Sequence, residues 1–124
     1  MQLSKTIHQS LPLVDEILAE WEPTIGEAFQ GYKNHIYRML HCCMAIYPCS
    51  ESDIKKLCIA ASFHDLGVWS AKTVNYLPPS IREAEKYLER NQLDGWREEI
   101  CLLIDLHHKL RPVKHELAMK YPLL

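Results

Sequence analysis

The 124-residue sequence has little glycine and no long apolar run. It contains only 4 glycines, and no segment alternates clearly between apolar and polar residues, which disfavours a turn-rich β architecture. No apolar run approaches the ~20 residues that span a bilayer. The first ten residues, MQLSKTIHQS, are too polar for a secretory signal. These absences predict an all-α protein that is cytoplasmic and has no membrane partner.

The charge balance is close to neutral, and the composition is that of one folded domain. The formal net charge of −2 provides no general attraction to a nucleic-acid polymer or an anionic membrane. A chain of 124 residues is long enough for one domain and too short for two, so we expect a single domain over 1–124. The 48% of hydrophobic residues are enough to form its core. It would comprise N-terminal helices within 11–30 and a core over about 30–112. A homo-oligomer and a chain truncated at its C terminus both stay open.

The five cysteines do not form a recognisable disulfide or metal framework. Their number is odd and no CxxC pair occurs, so we expect reduced and mostly buried thiols in a cytosolic protein. A zinc site at His41, Cys42 and Cys43 is disfavoured, because adjacent residues on a helix point in different directions.

Apolar spacing predicts helices on both sides of a turn near Pro48. Between residues 32 and 47 the apolar positions recur at steps of three and four, and Pro48 ends the pattern. Ser50 or Ser52 is the expected N-cap of the next helix. That helix should run to about Leu66, with acidic residues in its first turn.

Glycine and proline indicate the remaining boundaries. Residues 11–30 predict one or two short helices, which end before Gly31. Residues 67–79 predict a loop, and loops of about a dozen residues are often functional. Beyond the loop we expect Ser80 to cap a largely solvated helix that runs to about residue 91. A last helix should run from 96 to about 110.

The doublet His64-Asp65 is the strongest local candidate for chemistry. Both residues follow Ala61 at helical spacing and extend the buried face of their helix. An adjacent imidazole and carboxylate can ligate a divalent cation, and a carboxylate buried without a partner is costly. The alternative is a His–Asp hydrogen bond at a helix end, and for an isolated doublet that alternative is favoured.

Other histidines occupy positions at which they can join the doublet. His35 lies at the margin of the inward stripe of its helix, and His107 and His108 end an aliphatic stripe. His35 alone is explained by an ordinary, partly buried histidine with a polar partner. Asp105 lies three residues before His108, so the two can share a helix face. Burying His107 and His108 at the end of an aliphatic stripe costs free energy unless each ring has a polar partner.

In this order the motifs resemble the HD-domain superfamily of metal-dependent phosphohydrolases. The matching stretches are YKNHIYRMLHCC (32–43), CIAASFHDLGVW (58–69) and IDLHHKLRP (104–112). VNYLPPSI (74–81) is similar to a connecting segment in a bacterial branch. The resemblance covers about residues 30–112. It implies an all-α fold, a compact orthogonal bundle of about five to seven helices around one or two metal ions.

The resemblance also implies a set of metal ligands. That set consists of His35, His64, Asp65, His107 and His108. The family usually completes it with an aspartate on a further helix, but no aspartate follows Asp105 in this chain. Either Asp105 takes that role, or the chain is truncated, or the site is incomplete.

The function that the resemblance implies is hydrolysis of a nucleotide or another small phosphorylated metabolite by a metal-activated water. Asp65 would be both a ligand and the acceptor of the water's proton. Arg38 and Lys72 are candidates for binding phosphate oxygens, and Trp69 and Tyr76 for stacking on a base or closing a lid. The alternative for these four is ordinary packing or solvation.

Mixed His and carboxylate ligands suit Mn, Fe, Zn, Ni or Mg. The alternative function is a catalytically degraded scaffold that senses a ligand or binds another protein.

Overall fold

The computed structural model describes residues 11–46 and 48–109, with side chains as far as residue 105. The described residues form helices and no strands, which confirms the all-α prediction. The α-helices are α1 (Pro12–Ile25), α2 (Phe29–Ile46), α3 (Glu51–Phe63), α4 (Gly67–Ser70), α5 (Leu77–Arg90) and α6 (Arg97–Lys109), with 3₁₀ turns at Gly26–Ala28 and Asp94–Trp96. None of the described helices is long and apolar enough to cross a membrane.

Helix α3 is the centre of the fold. It packs against α1, α2, α5 and α6, and every residue from 58 to 63 is buried. A helix that is surrounded on all sides needs apolar or small residues around its whole circumference, and this segment, CIAASF, provides them. The central position of α3 brings the residues that follow Phe63 close to the core.

A capping box begins α3. The Ser50 hydroxyl accepts a hydrogen bond from the Asp53 backbone N–H, and the Asp53 carboxylate accepts one from the Ser50 N–H. Two backbone donors at the helix start are thereby satisfied. Of the two predicted N-caps, Ser50 is the residue that serves, and Ser52 lies inside the helix.

The break near the N terminus lies at Gly26, and the prediction that it lies at Gly31 is wrong. Helix α1 continues through Pro23 to Ile25, and Gly26 then has a φ of +71°. A positive φ is accessible to glycine at little cost, so the chain can change direction there. Gly31 lies within α2, where its backbone is helical.

The prediction of a loop over residues 67–79 with Ser80 as a helix cap is also wrong. Residues 67–70 form the single turn α4, and α5 begins at Leu77, so only residues 71–76 lack helical structure. Pro78 and the proline after it lie in the first turn of α5, where a missing N–H is harmless. The Pro-Pro pair therefore begins a helix, and Ser80 lies buried inside it.

Helix α5 is not the largely solvated helix that its charge predicts. It buries Ala84, Tyr87 and Leu88 against the core. Their spacing of three and four defines an apolar face that the many charged residues of the opposite face obscure in the sequence. In α6, Ile100 and Ile104 are buried as the predicted aliphatic stripe requires.

The cysteines are less buried than expected. Cys58 is buried in α3, Cys42 is exposed on α2, and the other three are half-buried. The prediction of mostly buried thiols is therefore wrong. For Cys42 and Cys43 the reason is that α2 buries no residue after Leu40.

Candidate metal centre

His35, His64 and Asp65 converge at the C-terminal end of α3. His35 belongs to α2, whereas the doublet forms part of the turn between α3 and α4. Each residue offers one ligand atom, and these atoms lie within 4.8 Å of one another. The two imidazole rings are tilted by 40°, with their centroids 5.5 Å apart. His64 is buried and the other two are half-buried, so the group has one side toward the core and one toward solvent.

The ring of His64 is oriented by its own helix. Its Nδ1 lies 2.5 Å from the Ala61 carbonyl oxygen, and because a carbonyl can only accept, we assign the proton to Nδ1. Nε2 is then the nitrogen that can act as a ligand, and it lies 3.0 Å from Asp65 Oδ2. A hydrogen bond to the second ring nitrogen is the usual way in which proteins orient a metal-binding histidine.

The donor set fits a divalent cation. A lone pair on His64 Nε2 and a carboxylate oxygen of Asp65 at 3.0 Å repel each other unless a proton or a cation lies between them. Imidazole nitrogen and carboxylate oxygen together suit borderline divalent cations. Three protein ligands also leave coordination positions for water and substrate, as a catalytic site requires.

Tyr32 connects α2 to the turn that carries the doublet. Its hydroxyl donates a hydrogen bond to the Ser62 carbonyl oxygen at 2.9 Å and accepts one from the Asp65 backbone N–H at 3.2 Å. Burial, with the nearby Asp65 charge as a second cause, raises the pKa of Tyr32 well above its ordinary value. The hydroxyl is therefore protonated at neutral pH and can both donate and accept.

Tyr32, Gly67 and Ser80 are the site residues that sequence reasoning missed. The Gly67 N–H donates to the Ser80 hydroxyl at 2.7 Å, which joins α4 to α5 directly behind the doublet. Gly67 permits this close approach because it has no Cβ. The spacing of Tyr32, three residues before His35, could have indicated it. No local pattern marks the contact between Gly67 and Ser80.

The predicted aromatic residues occupy different surroundings. Trp69 packs against the ring of Tyr32, with centroids 4.8 Å apart, which is the ordinary packing that was the alternative to stacking on a base. Tyr76 lies with Lys72 along an open groove in the 71–76 segment, together with Val68, Thr73 and Val74.

The remaining predicted residues are not part of the convergent group. Arg38 is exposed on α2 and Lys72 is exposed after α4, so their binding of phosphate stays a prediction. Asp105 is half-buried in α6, and among the described side chains it does not belong to the group. Helix α6 extends through positions 107 and 108, but the side chains of His107 and His108 lie outside the described residues.

Comparison of the chain with protein-family models, with curated proteins and with solved structures finds no match. The interpretation of the site therefore depends on its own geometry and on the motifs in the sequence.

Proposed function

We propose that this chain is a metal-dependent hydrolase of phosphate esters of the HD type, acting on a nucleotide or another small phosphorylated metabolite. The observation that carries the proposal is the convergence of His35, His64 and Asp65 within 4.8 Å from two separate segments. The sequence motifs support the same assignment, because these three residues are the first family ligand and the doublet.

The candidate residues have three roles in this proposal: to bind the metal, to accept a proton and to bind the substrate. A bound divalent cation would supply an acidified water and neutralise charge on a phosphoryl oxygen. The His35 and His64 imidazoles and the Asp65 carboxylate would hold it. The Asp65 carboxylate would also accept the proton of the attacking water, since a carboxylate has more acceptor positions than one ligand bond uses. Arg38 and Lys72 are the cations that we assign to substrate oxygens.

The metal is one of Mn, Fe, Zn, Ni or Mg, because two nitrogens and a carboxylate oxygen suit the transition metals and leave room for the waters that Mg retains. His107 or His108 would add a further nitrogen ligand from α6 in the HD assignment.

A catalytically degraded scaffold is the second candidate function. The observation that favours it is that, among the described side chains, Asp105 does not belong to the convergent group, although the family usually ends its ligand set with an aspartate. Such a scaffold would bind a metal or a ligand and regulate a partner without turnover.

The deciding experiment measures metal content and hydrolysis on the same preparations. The purified chain should bind Mn²⁺ with a defined stoichiometry and hydrolyse a chromogenic phosphate monoester or diester when Mn²⁺ is added. His64→Ala should lose both properties while its helical circular dichroism persists. His41→Ala, which removes a half-buried imidazole on α2 outside the group, is the matched control and should retain both.

The outcomes separate the candidates. Metal binding with hydrolysis supports the enzyme, and metal binding without hydrolysis of any phosphate ester supports the degraded scaffold. Full metal content in His64→Ala would show that the group is not the metal site.

A further inference from the structure

The turn that carries the candidate ligands has hydrogen-bonding groups that its own helix does not satisfy. The last four carbonyls of an α-helix have no partner within it, and the Ser62 carbonyl lies within the last turn of α3. The Ala61 carbonyl already accepts from both the backbone N–H and the ring of His64. In a continued helix the Asp65 N–H would donate to the carbonyl four residues earlier, which is that of Ala61. That carbonyl oxygen already accepts the two hydrogen bonds from His64.

A single hydroxyl from α2 serves both groups. Tyr32 donates to the Ser62 carbonyl at 2.9 Å and accepts from the Asp65 N–H at 3.2 Å. These two contacts lie on either side of His64 in the sequence, so they fix the backbone that determines where the His64 ring and the Asp65 carboxylate point.

The ring of Tyr32 also contacts two neighbouring rings. It stacks on the His64 imidazole at 27° with a centroid distance of 5.9 Å, and it contacts Trp69 at 4.8 Å. His35 lies one turn further along the same helix. Helix α2 therefore provides one ligand directly and contacts the other two through Tyr32.

We propose that Tyr32 is a positioning residue that holds the His64-Asp65 doublet in the geometry in which it meets His35. This inference rests on the proposed metal site and deepens it. Tyr32 touches the backbone and ring of the ligands, and its contribution to metal affinity is made through them.

Tyr37 provides a matched control on the same helix. Its hydroxyl also bridges two groups of another helix region, accepting from the Leu11 N–H at 3.0 Å and donating to Asp15 Oδ1 at 2.6 Å. These partners belong to the start of α1 and include none of the three candidate ligands. Loss of either hydroxyl removes a comparable pair of hydrogen bonds, so a general loss of stability affects both variants.

The experiment compares Tyr32→Phe with Tyr37→Phe, because phenylalanine keeps each ring and removes each hydroxyl. Mn²⁺ affinity is measured by the electron paramagnetic resonance signal of the free ion. We expect Tyr32→Phe to bind Mn²⁺ about 10-fold more weakly and Tyr37→Phe to bind it as the wild type does. Hydrogen exchange of the Asp65 amide in the metal-free chain, referenced to amides of α5, should accelerate in Tyr32→Phe alone.

Each outcome of the experiment supports or overturns the positioning role of Tyr32. Equal Mn²⁺ affinities in the two variants would overturn the role of Tyr32, whatever their stabilities. If the wild type itself binds no Mn²⁺, the proposed function fails, and amide exchange then decides on Tyr32. Selective acceleration at Asp65 in Tyr32→Phe would support the positioning role, and unchanged exchange would overturn it.

Discussion

The two ends of α3 are stabilised in opposite ways. At its start, Ser50 and Asp53 exchange hydrogen bonds within one exposed turn. At its end, the hydroxyl of Tyr32 supplies the hydrogen bonds from 30 and 33 residues away. The hydrogen bonds at the first end form within α3 and the residue before it, whereas those at the second end form only when α2 is docked against α3.

The candidate ligands lie at the end that depends on other helices. Ligand side chains have to be held within a fraction of an ångström, and packing and hydrogen bonds from neighbouring elements provide that precision. An exposed terminus with only local contacts leaves its side chains free to change rotamer. The difference between the two ends indicates why the buried end is the one suited to a site.

The largest expected difference between the ends concerns metal binding. Asp65→Asn keeps the size of the side chain but removes the charge, and we expect Mn²⁺ affinity to fall about 100-fold or more. Asp53→Asn makes the same chemical change at the other end of α3 and should leave the affinity unchanged. Titration of both variants with Mn²⁺ checks this. Equal losses would mean that general charge, not the convergent group, attracts the ion.

The features that the sequence predicts correctly are those whose cause is local. The capping serine and the aliphatic stripe of α6 depend on residues a few positions apart, and both are present. The grouping of His35 with the doublet has no local cause. The resemblance implies it, and the structure brings the ligand atoms of the three residues together. Whether they bind a metal stays a prediction.

The features that the sequence does not predict depend on contacts between distant segments. Gly31 and Gly26 look alike in the sequence, and only the backbone conformation distinguishes the helical glycine from the one with positive φ. The role of Ser80 depends on Gly67, 13 residues away. Local propensity therefore suggests a cap where tertiary packing requires a buried hydroxyl.

The next largest effect is expected from the close packing of α4 against the start of α5, behind the doublet. A Cβ at Gly67 would overlap the Tyr76 carbonyl oxygen and lie 2.9 Å from the Ser80 backbone nitrogen. Because backbone atoms cannot move aside easily, Gly67→Ala should lower the free energy of unfolding by about 3 kcal/mol. Urea unfolding followed by circular dichroism measures it.

Gly31→Ala is the matched control for this change. A Cβ at this helical position meets nothing within 4 Å, so the substitution should raise the free energy of unfolding by up to about 1 kcal/mol. If both alanine variants were equally stable, the close approach of α4 and α5 would not be a constraint.

A smaller effect follows from the increasing burial along α3. Burial raises the pKa of the Cys58 thiol to about 11 from an ordinary value of 9.0. The unfolded chain therefore ionises first, so the contribution of the neutral thiol is complete below pH 9 and is lost as the pH rises toward 11. We expect the stability difference between wild type and Cys58→Ala to fall by about 2 kcal/mol across that interval. Both chains contain the same tyrosines, so most of the pH dependence that tyrosine ionisation contributes cancels in this difference; the Cys58 charge is the smallest of the causes that raise the pKa of Tyr37. A difference that is constant with pH would contradict the raised pKa.

The smallest effect belongs to the self-contained end. Ser50→Ala removes the acceptor for the Asp53 N–H and should lower the free energy of unfolding by about 1 kcal/mol. The loss is small because the turn is exposed and water can replace the hydroxyl. Since helix α3 separates this cap from the doublet by roughly 20 Å, Mn²⁺ affinity should not change. The contrast is sharpest against Tyr32→Phe, in which the same helix loses hydrogen bonds at its other end. If Ser50→Ala weakened Mn²⁺ binding as much as Tyr32→Phe, overall helix stability would explain both results, and the two ends of α3 would not be independent.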